Sequence, residues 1–537
     1  LTFRIRFECT LQVMKSIRAF NDKRDRVIFN AVDIVFHIIT LFFALLMGSA
    51  FFNDIYAQNI LARSTLEAEG VSSIHIQEYF DTLMMDPRTE IHSCIVMRNG
   101  KVISELYPKP WRKDYRHTVY SISKTFTGLA IGMCITDGLI QVDDNVCEIL
   151  PEYMPKEISH LQKRLSIKDL LSMQSGIPVD TKLRANEKEW LKGYLAKKPT
   201  AEPGSKWAYD SMLSYILSAI VQRKTGKMLM TFLEERLFMP MGITDAAWEE
   251  SPEGVTCGGW GLYIRPEAMA MLGQLILDGG KWQGKQLVAE EWIREMCSAQ
   301  SVNGRYGWHL WQCDYPGWSE ANGAYGQYIF IIPEQKMVVS MTQCTNKRAP
   351  LQRWTKQILA DRCQEEALNS STHQINYTDY TLPLAQGKAH NHELISKEGI
   401  HLSLEKNPLG WKNVTLTQSN DTLLLHITDN REHTYYIYAR YGTWEETHFE
   451  GLPYHTPPPF EGVFSNLPKS WHVASSYAWK DDNTLVMEMH WIDWLTSARI
   501  EIVFGNDHTS LIFQPRDTGK KVVVNASLLK KNNETND

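Results

Sequence analysis

The stretch Tyr120-Ser121-Ile122-Ser123-Lys124-Thr125-Phe126-Thr127 sets a serine three residues ahead of a lysine. On a helix, residues three apart project from one face, which would bring the Lys124 amine over the Ser121 hydroxyl and make a nucleophile with its own base. The spacing alone is common: about two such pairs are expected by chance in a chain of this length, and three occur. Ser403-Leu404-Glu405-Lys406 lies in strand-like sequence, and Ser527-Leu528-Leu529-Lys530 lies in the polar C-terminal tail. Behind Ser121, by contrast, Phe126, Leu129, Ala130, Met133 and Cys134 recur at helical spacing and Asp137-Gly138 supplies the stop. Ser121 is therefore expected at a helix N-terminus. There, unpaired backbone N–H groups and the positive end of the helix dipole favour an alkoxide and disfavour a nearby ammonium. A lysine acting as base at neutral pH needs its pKa lowered, and burial beside that dipole end pushes it in this direction. A capping serine followed by a solvated lysine is the plainer reading of any one helix start, so other segments must decide.

Working outward, Pro203-Gly204-Ser205-Lys206-Trp207-Ala208-Tyr209-Asp210-Ser211 is a turn-rich approach to the amphipathic run Leu213 to Thr225, closed by Gly226. It delivers Tyr209 to a second helix start, where a phenol beside a lysine can relay protons between nucleophile and leaving group. A structural aromatic is the bland alternative. Ala321-Asn322-Gly323-Ala324-Tyr325-Gly326-Gln327-Tyr328 leads into Ile329-Phe330-Ile331-Ile332-Pro333 and then Met337 to Met341, two strands of a hairpin. Small residues before the first strand would let a substrate approach the backbone, where an edge N–H can serve as half of an oxyanion hole. A Gly-rich turn is the competing reading.

With these segments stand Met97-Arg98-Asn99-Gly100-Lys101-Val102, Asp137-Gly138-Leu139-Ile140, Ile167 to Gly176, Gly258-Gly259-Trp260-Gly261-Leu262 and Gly279 to Lys285. On them the chain resembles the serine β-lactamase and penicillin-binding protein superfamily over about residues 75 to 365. It is nearest to the class C-like branch, which also holds esterases, D-amino acid peptidases and 6-aminohexanoate-dimer hydrolases. The resemblance implies an α+β fold, an antiparallel sheet flanked by helices with a helical lobe. It also implies Ser121 as the acylated nucleophile, Lys124 as the motif lysine and Tyr209 as the tyrosine of the Tyr-x-Asn element. Two positions depart from class C: Ser211 replaces the asparagine, and Ala321-Asn322-Gly323 stands where Lys-Thr-Gly is usual. A cation there would bind the carboxylate of a penicillin or a peptide C-terminus, so its loss argues against both as preferred substrates. By the same likeness the Ala324 N–H would join that of Ser121 in the oxyanion hole, with Ser211, Asn322 and Gly323 facing the substrate. The implied chemistry is two-step acyl transfer on a small-molecule or peptide-like amide or ester. A β-lactamase or DD-peptidase, and a catalytically silent relative binding cell-wall fragments, are the alternatives.

No cofactor or metal is expected, because the chain lacks His-Glu-x-x-His, paired Cys-x-x-Cys, the phosphate-binding Gly-x-x-x-x-Gly-Lys and the Gly-x-Ser-x-Gly elbow. His92, His117 and His160 stand alone and read as structural or solvated. A net charge of -6 offers no basic footprint and speaks against nucleic acid. The nine cysteines are scattered and odd in number, several of them small residues within apolar runs.

The organisation read from 537 residues is a tail over 1–57, a hydrolase domain over 58–366, a linker over 367–392 and a β-rich domain over 393–537. In the tail, Ile34 to Phe52 is apolar, uncharged and long enough to enter a bilayer, as a signal peptide or an anchor. Lys15, Arg18, Lys23, Arg24 and Arg26 precede it, so the positive-inside tendency predicts an exported hydrolase: periplasmic, extracellular or membrane-anchored. In the last domain, β-branched and aromatic runs at Asp421 to Asp429, His433 to Gly442, Thr484 to Asp493 and Ala498 to Asp507 predict a small antiparallel barrel or sandwich. Its tryptophans are expected in the core.

Overall fold

Ile91–Arg98 and Met337–Gln343 are buried along their whole lengths, and strands buried on both faces need cover from two sides. The computed structural model describes residues 61–179, 188–345, 347–368, 374–391, 399–450, 470–505, 508–516 and 519–529. Among them the first sheet has strands β1 (Ala62–Arg63), β2 (Ile91–Arg98), β3 (Lys101–Leu106), β4 (Trp311–Gln312), β5 (Ser319–Gly323), β6 (Gln327–Ile332) and β7 (Met337–Gln343). Their order is β1-β3-β2-β7-β6-β5-β4, antiparallel except for the short β1. The hairpin expected at Ile329 and Met337 is β6–β7, turned through Pro333–Gln335.

Four helices frame the site: α1 (Ser73–Met85), α2 (Ser123–Thr136), α3 (Ser211–Thr225) and α4 (Pro266–Leu277). Helix α1 lays Ile76, Tyr79, Phe80 and Leu83 on the sheet face formed by Cys94, Val96, Val339 and Met341. Helix α4 packs on β2, β6 and β7, so the central strands are buried without alternation. Helix α2 lies against α3 in a second, helical lobe. Its apolar residues recur at helical spacing, yet Ser123 through Cys134 are all buried, polar ones included, because neighbours enclose the helix on every side.

The C-terminal sheet holds β8 (Ile400–Leu404), β9 (Trp411–Ser419), β10 (Thr422–Asp429), β11 (Thr434–Tyr441), β12 (Glu445–Glu450), β13 (Ser470–Asp481), β14 (Thr484–Trp491), β15 (Ser497–Phe504), β16 (Thr509–Pro515) and β17 (Val522–Leu528). All but β12 close into a nine-stranded barrel. An odd ring cannot be antiparallel throughout, and the one parallel seam is Arg440–Tyr441 of β11 against Ser476–Tyr477 of β13. Leu423, Leu425 and Ile427 point inward at period two along β10. On β14 the alternation is lost, since all eight of its residues are buried. Leu485, Met487 and Met489 fill the barrel, while Val486 meets Ala385 outside it.

Ala385 belongs to the stretch read as a linker, described over 374–391. It is a strap hydrogen-bonded to both lobes: Leu382 N donates to Lys109 O at 2.7 Å, and Lys388 N to Trp479 O at 2.7 Å. Beside it Arg516 of the barrel donates to Glu90 at 2.5 Å, and Ser497 Oγ to the same carboxylate at 2.9 Å. Two of the three histidines read as solitary, His92 and His117, are joined here. His117 Nδ1–H donates to Thr118 O at 2.7 Å, so its Nε2 accepts from His92 Nδ1–H at 2.9 Å. His92 also stacks on Trp111 at 3.6 Å. Burial pushes the pKa of both rings well down. The apolar stretch 34–52 lies outside the described residues; among those described, no helix is long and apolar enough to cross a membrane.

Candidate active site

Ser121 occupies a single 3-10 turn, Tyr120–Ile122, that runs straight into α2. Tyr120 has φ 47°, a conformation that costs a bulky residue on the order of 1–3 kcal/mol. The turn is held by Ser123 Oγ, which donates to Tyr120 O at 2.5 Å, and by the Tyr325 ring packed edge-on to Tyr120 at 5.4 Å. Lys124, second in α2, is 1% exposed and donates from Nζ to Ser121 Oγ at 2.9 Å, Ser211 Oγ at 3.0 Å and Gly259 O at 2.5 Å. These three partners are neutral oxygens. When the amine is neutral its lone pair can face one of them, and the Ser121 hydroxyl is the one that carries a transferable proton.

Helix α3 delivers the remaining groups. Asp210 caps it by accepting from Met212 N at 2.9 Å, and Tyr194 OH fixes the same carboxylate at 2.6 Å. Tyr209 precedes the cap and Ser211 follows it, so both are pinned at the helix start. The Tyr209 hydroxyl hydrogen-bonds Ser121, and its ring lies 4.8 Å from Lys124 Nζ. Stacking on Trp311 at 5.5 Å, beside Trp207 and Tyr306, desolvates the phenol. Burial raises its pKa, outweighing the Ser121 hydrogen bond that lowers it, so the group is a protonated donor.

Strand β5 closes the other side. A Cβ on Gly323 would stand 2.4 Å from Val119 O, so glycine is what lets the edge approach the Ser121 turn. Ser121, Tyr209, Asn322, Gly323 and Ala324 line one cleft of about 930 Å3. Gln327 Nε2 braces the Ala324 loop by donating to Ala324 O at 3.1 Å and Gln343 O at 2.7 Å. Asn322 Nδ2 donates to Glu320 Oε1 at 3.1 Å. The other two Ser-x-x-Lys serines face each other across the barrel pair β8–β17, Ser403 opposite Ser527, and Lys530 lies outside the described residues.

Several site residues escape a reading by motif. The Gly259 carbonyl holds Lys124, but a backbone acceptor leaves no trace in residue type. His309, with φ 61°, bridges the lobe: its Nδ1–H donates to Leu171 O at 2.9 Å, so its Nε2 accepts from Ser214 Oγ at 2.9 Å, and its carbonyl accepts from Thr125 at 3.0 Å. Burial, then the Lys124 charge, pushes its pKa down to about 3. Glu320 and Asn322 share the cleft face, which period-two alternation along β5 could have found. No group of three or more His, Cys, Asp or Glu among the described residues is arranged to hold a metal ion.

A family model described as Beta-lactamase matches residues 76–363. The chain is 32% identical over 151 residues to a lovastatin esterase of Penicillium rubens, covering 24% of this chain and 38% of that protein. It is 24% identical over 227 residues to a 6-aminohexanoate-dimer hydrolase of Paenarthrobacter ureafaciens, covering 38% of this chain and 57% of that protein. Among solved structures a family VIII carboxylesterase is similar, with a TM-score of 0.46 and 15% identity, covering 56% of this chain and 99% of that one. The chain spans about half the length, 38% to 57%, of these curated relatives.

Proposed function

The chain belongs to the beta-lactamase family, and from that premise we propose that it is a serine hydrolase cleaving an amide or ester through an acyl-enzyme on Ser121. The observation that carries this reading is the buried Lys124 amine, 2.9 Å from Ser121 Oγ at the wall of an open cleft. Relatives named as a lovastatin esterase and as a 6-aminohexanoate-dimer hydrolase support the two bond types.

In the proposed cycle neutral Lys124 takes the Ser121 proton as Oγ attacks the carbonyl carbon. The oxyanion is received by the N–H groups of Ser121 and Ala324, whose turn and edge strand meet at Gly323. Tyr209, protonated, donates to the leaving nitrogen or oxygen, and the proton that Lys124 took from Ser121 passes to the phenolate, whose ring lies 4.8 Å from Lys124 Nζ. Water then enters by the reverse path and releases the acid. Ala321 stands where a lysine would bind a substrate carboxylate, which disfavours penicillins and other anionic substrates. Catalysis is proposed outside the cytoplasm, on the basic residues that precede the apolar stretch 34–52; fractionation of expressing cells tests this, and activity confined to the cytosol would refute it.

The test of the function is hydrolysis of p-nitrophenyl butyrate and of butyryl anilide by wild type and Ser121→Ala. Turnover of either, lost in the variant, is expected. Turnover that survives Ser121→Ala would overturn the assignment.

A further inference from the structure

Glu320 is a buried carboxylate in the cleft that the acyl-transfer chemistry does not use. It is 6% exposed, lines the same cavity as Ser121, and stands in register with Trp311 and Phe330 on the neighbouring strands. Both of its oxygens accept: Oε1 from Asn322 Nδ2 at 3.1 Å, and Oε2 from Gln352 Nε2 at 2.8 Å and Cys313 Sγ at 3.7 Å. All three donors are neutral, and among the described residues no lysine, arginine or histidine pairs with Glu320. Arg305, in the same cleft, is engaged by Asp314. Lys347, Arg348 and Arg353 on the rim are exposed, where water and salt screen their charges. A carboxylate so placed carries a desolvation cost that hydrogen bonds offset in part and a counter-ion offsets more fully.

We propose that Glu320 is a specificity-determining residue that receives a positively charged amine of the substrate. This rests on the serine hydrolase reading and deepens it: the cleft takes an amide or ester bearing an ammonium group well removed from the scissile carbonyl. Glu320 stands four residues before Ala324, roughly 13 Å along an extended strand, so a short amine cannot reach it from the oxyanion hole. The cleft wall there, with Asn322 beside Tyr328 and Trp311 beside Glu320, gives the intervening chain an amphipathic track. The Lys-Thr-Gly cation of class C enzymes selects an anionic substrate; here the same strand presents an anion and selects the opposite charge.

Two ester pairs test this, each comparing an ammonium with a methyl group: p-nitrophenyl 8-aminooctanoate against the nonanoate for the acyl side, and 8-aminooctyl butyrate against nonyl butyrate for the leaving side. In at least one pair the ammonium ester is expected to have kcat/KM about tenfold or more above its partner. Glu320→Gln, which keeps the shape, should bring that ratio to about one, and Glu320→Asp, which keeps the charge, should retain part of it. A ratio near one in both wild-type pairs, or one that survives Glu320→Gln, overturns the proposal while Ser121-dependent turnover leaves the hydrolase reading standing. Calorimetric titration of the full chain carrying Ser121→Ala with 8-aminooctyl butyrate and nonyl butyrate decides the point without turnover. Preferential binding of the amine, lost with Glu320→Gln added, supports the inference even if no ester is cleaved; equal binding refutes it.

Discussion

Lys124 and Tyr209 meet at one serine oxygen, and their chemical states divide the labour. The lysine donates to three neutral oxygens, at 2.9, 3.0 and 2.5 Å, while the tyrosine is held protonated by burial. Lys124→Met should slow acylation of Ser121 by about 10² to 10⁴-fold, the span typical of a positioned general base; the rate of covalent labelling by a fluorophosphonate measures it, and an unchanged rate would remove the lysine from the mechanism. Tyr209→Phe tests a different step. An anilide leaving group needs a proton and p-nitrophenolate does not, so the variant should lose far more activity on butyryl anilide than on p-nitrophenyl butyrate. Because the phenol pKa is raised, activity should show no ionisation at the ordinary tyrosine value near 10; a step there in a pH profile that Tyr209→Phe abolishes would contradict the protonated-donor role.

At the scale of elements, two helix starts and one strand edge build the centre, and this much was legible in sequence. The period behind Ser121 placed α2, Asp210 and Gly226 bounded α3, and the small residues 321–324 marked the edge. What stayed hidden depends on contacts between elements. The turn at Gly258-Gly259 looks like any Gly-rich turn, yet a Cβ on Gly259 would stand 2.6 Å from Ser211 O and so displace the carbonyl that holds Lys124. Gly259→Ala should therefore cost about 1–3 kcal/mol of stability through overpacking and reduce acylation beyond that loss. Folded variant protein labelled at the wild-type rate would show that the Gly259 carbonyl does not position the amine. The all-buried pattern of β14 was equally illegible, because alternation vanishes where a barrel wall docks on a neighbour, and the strap over 374–391 reads as linker because its joins, backbone hydrogen bonds with isolated contacts such as Leu382 and Ala385, follow no period.

For the whole molecule, the lobe and barrel enclose polar groups that must stay neutral. His92, His117, His309 and His490 are buried, the last with neither ring nitrogen hydrogen-bonded among the described residues. Burial pushes all four pKa values below the ordinary one, with His309 and His490 at about 3. Each histidine is neutral when folded and takes a proton on unfolding below about pH 6.5, so its contribution is fully present above that pH and is lost as pH falls toward the folded value. Every such group adds up to about 1.4 kcal/mol of lost stability per pH unit in that window. The melting temperature should drop steeply between pH 6.5 and 5, and His490→Leu should flatten the drop; a melting temperature level across that range would show that these rings are not held neutral. The account as a whole stands on Ser121 as a working nucleophile in a folded chain. Intact-mass analysis after a fluorophosphonate probe, with Ser121→Ala, Ser403→Ala and Ser527→Ala beside it, reads this most directly. One adduct, lost with Ser121→Ala alone, is the predicted result; no adduct on folded protein, or one that persists without Ser121, would contradict it.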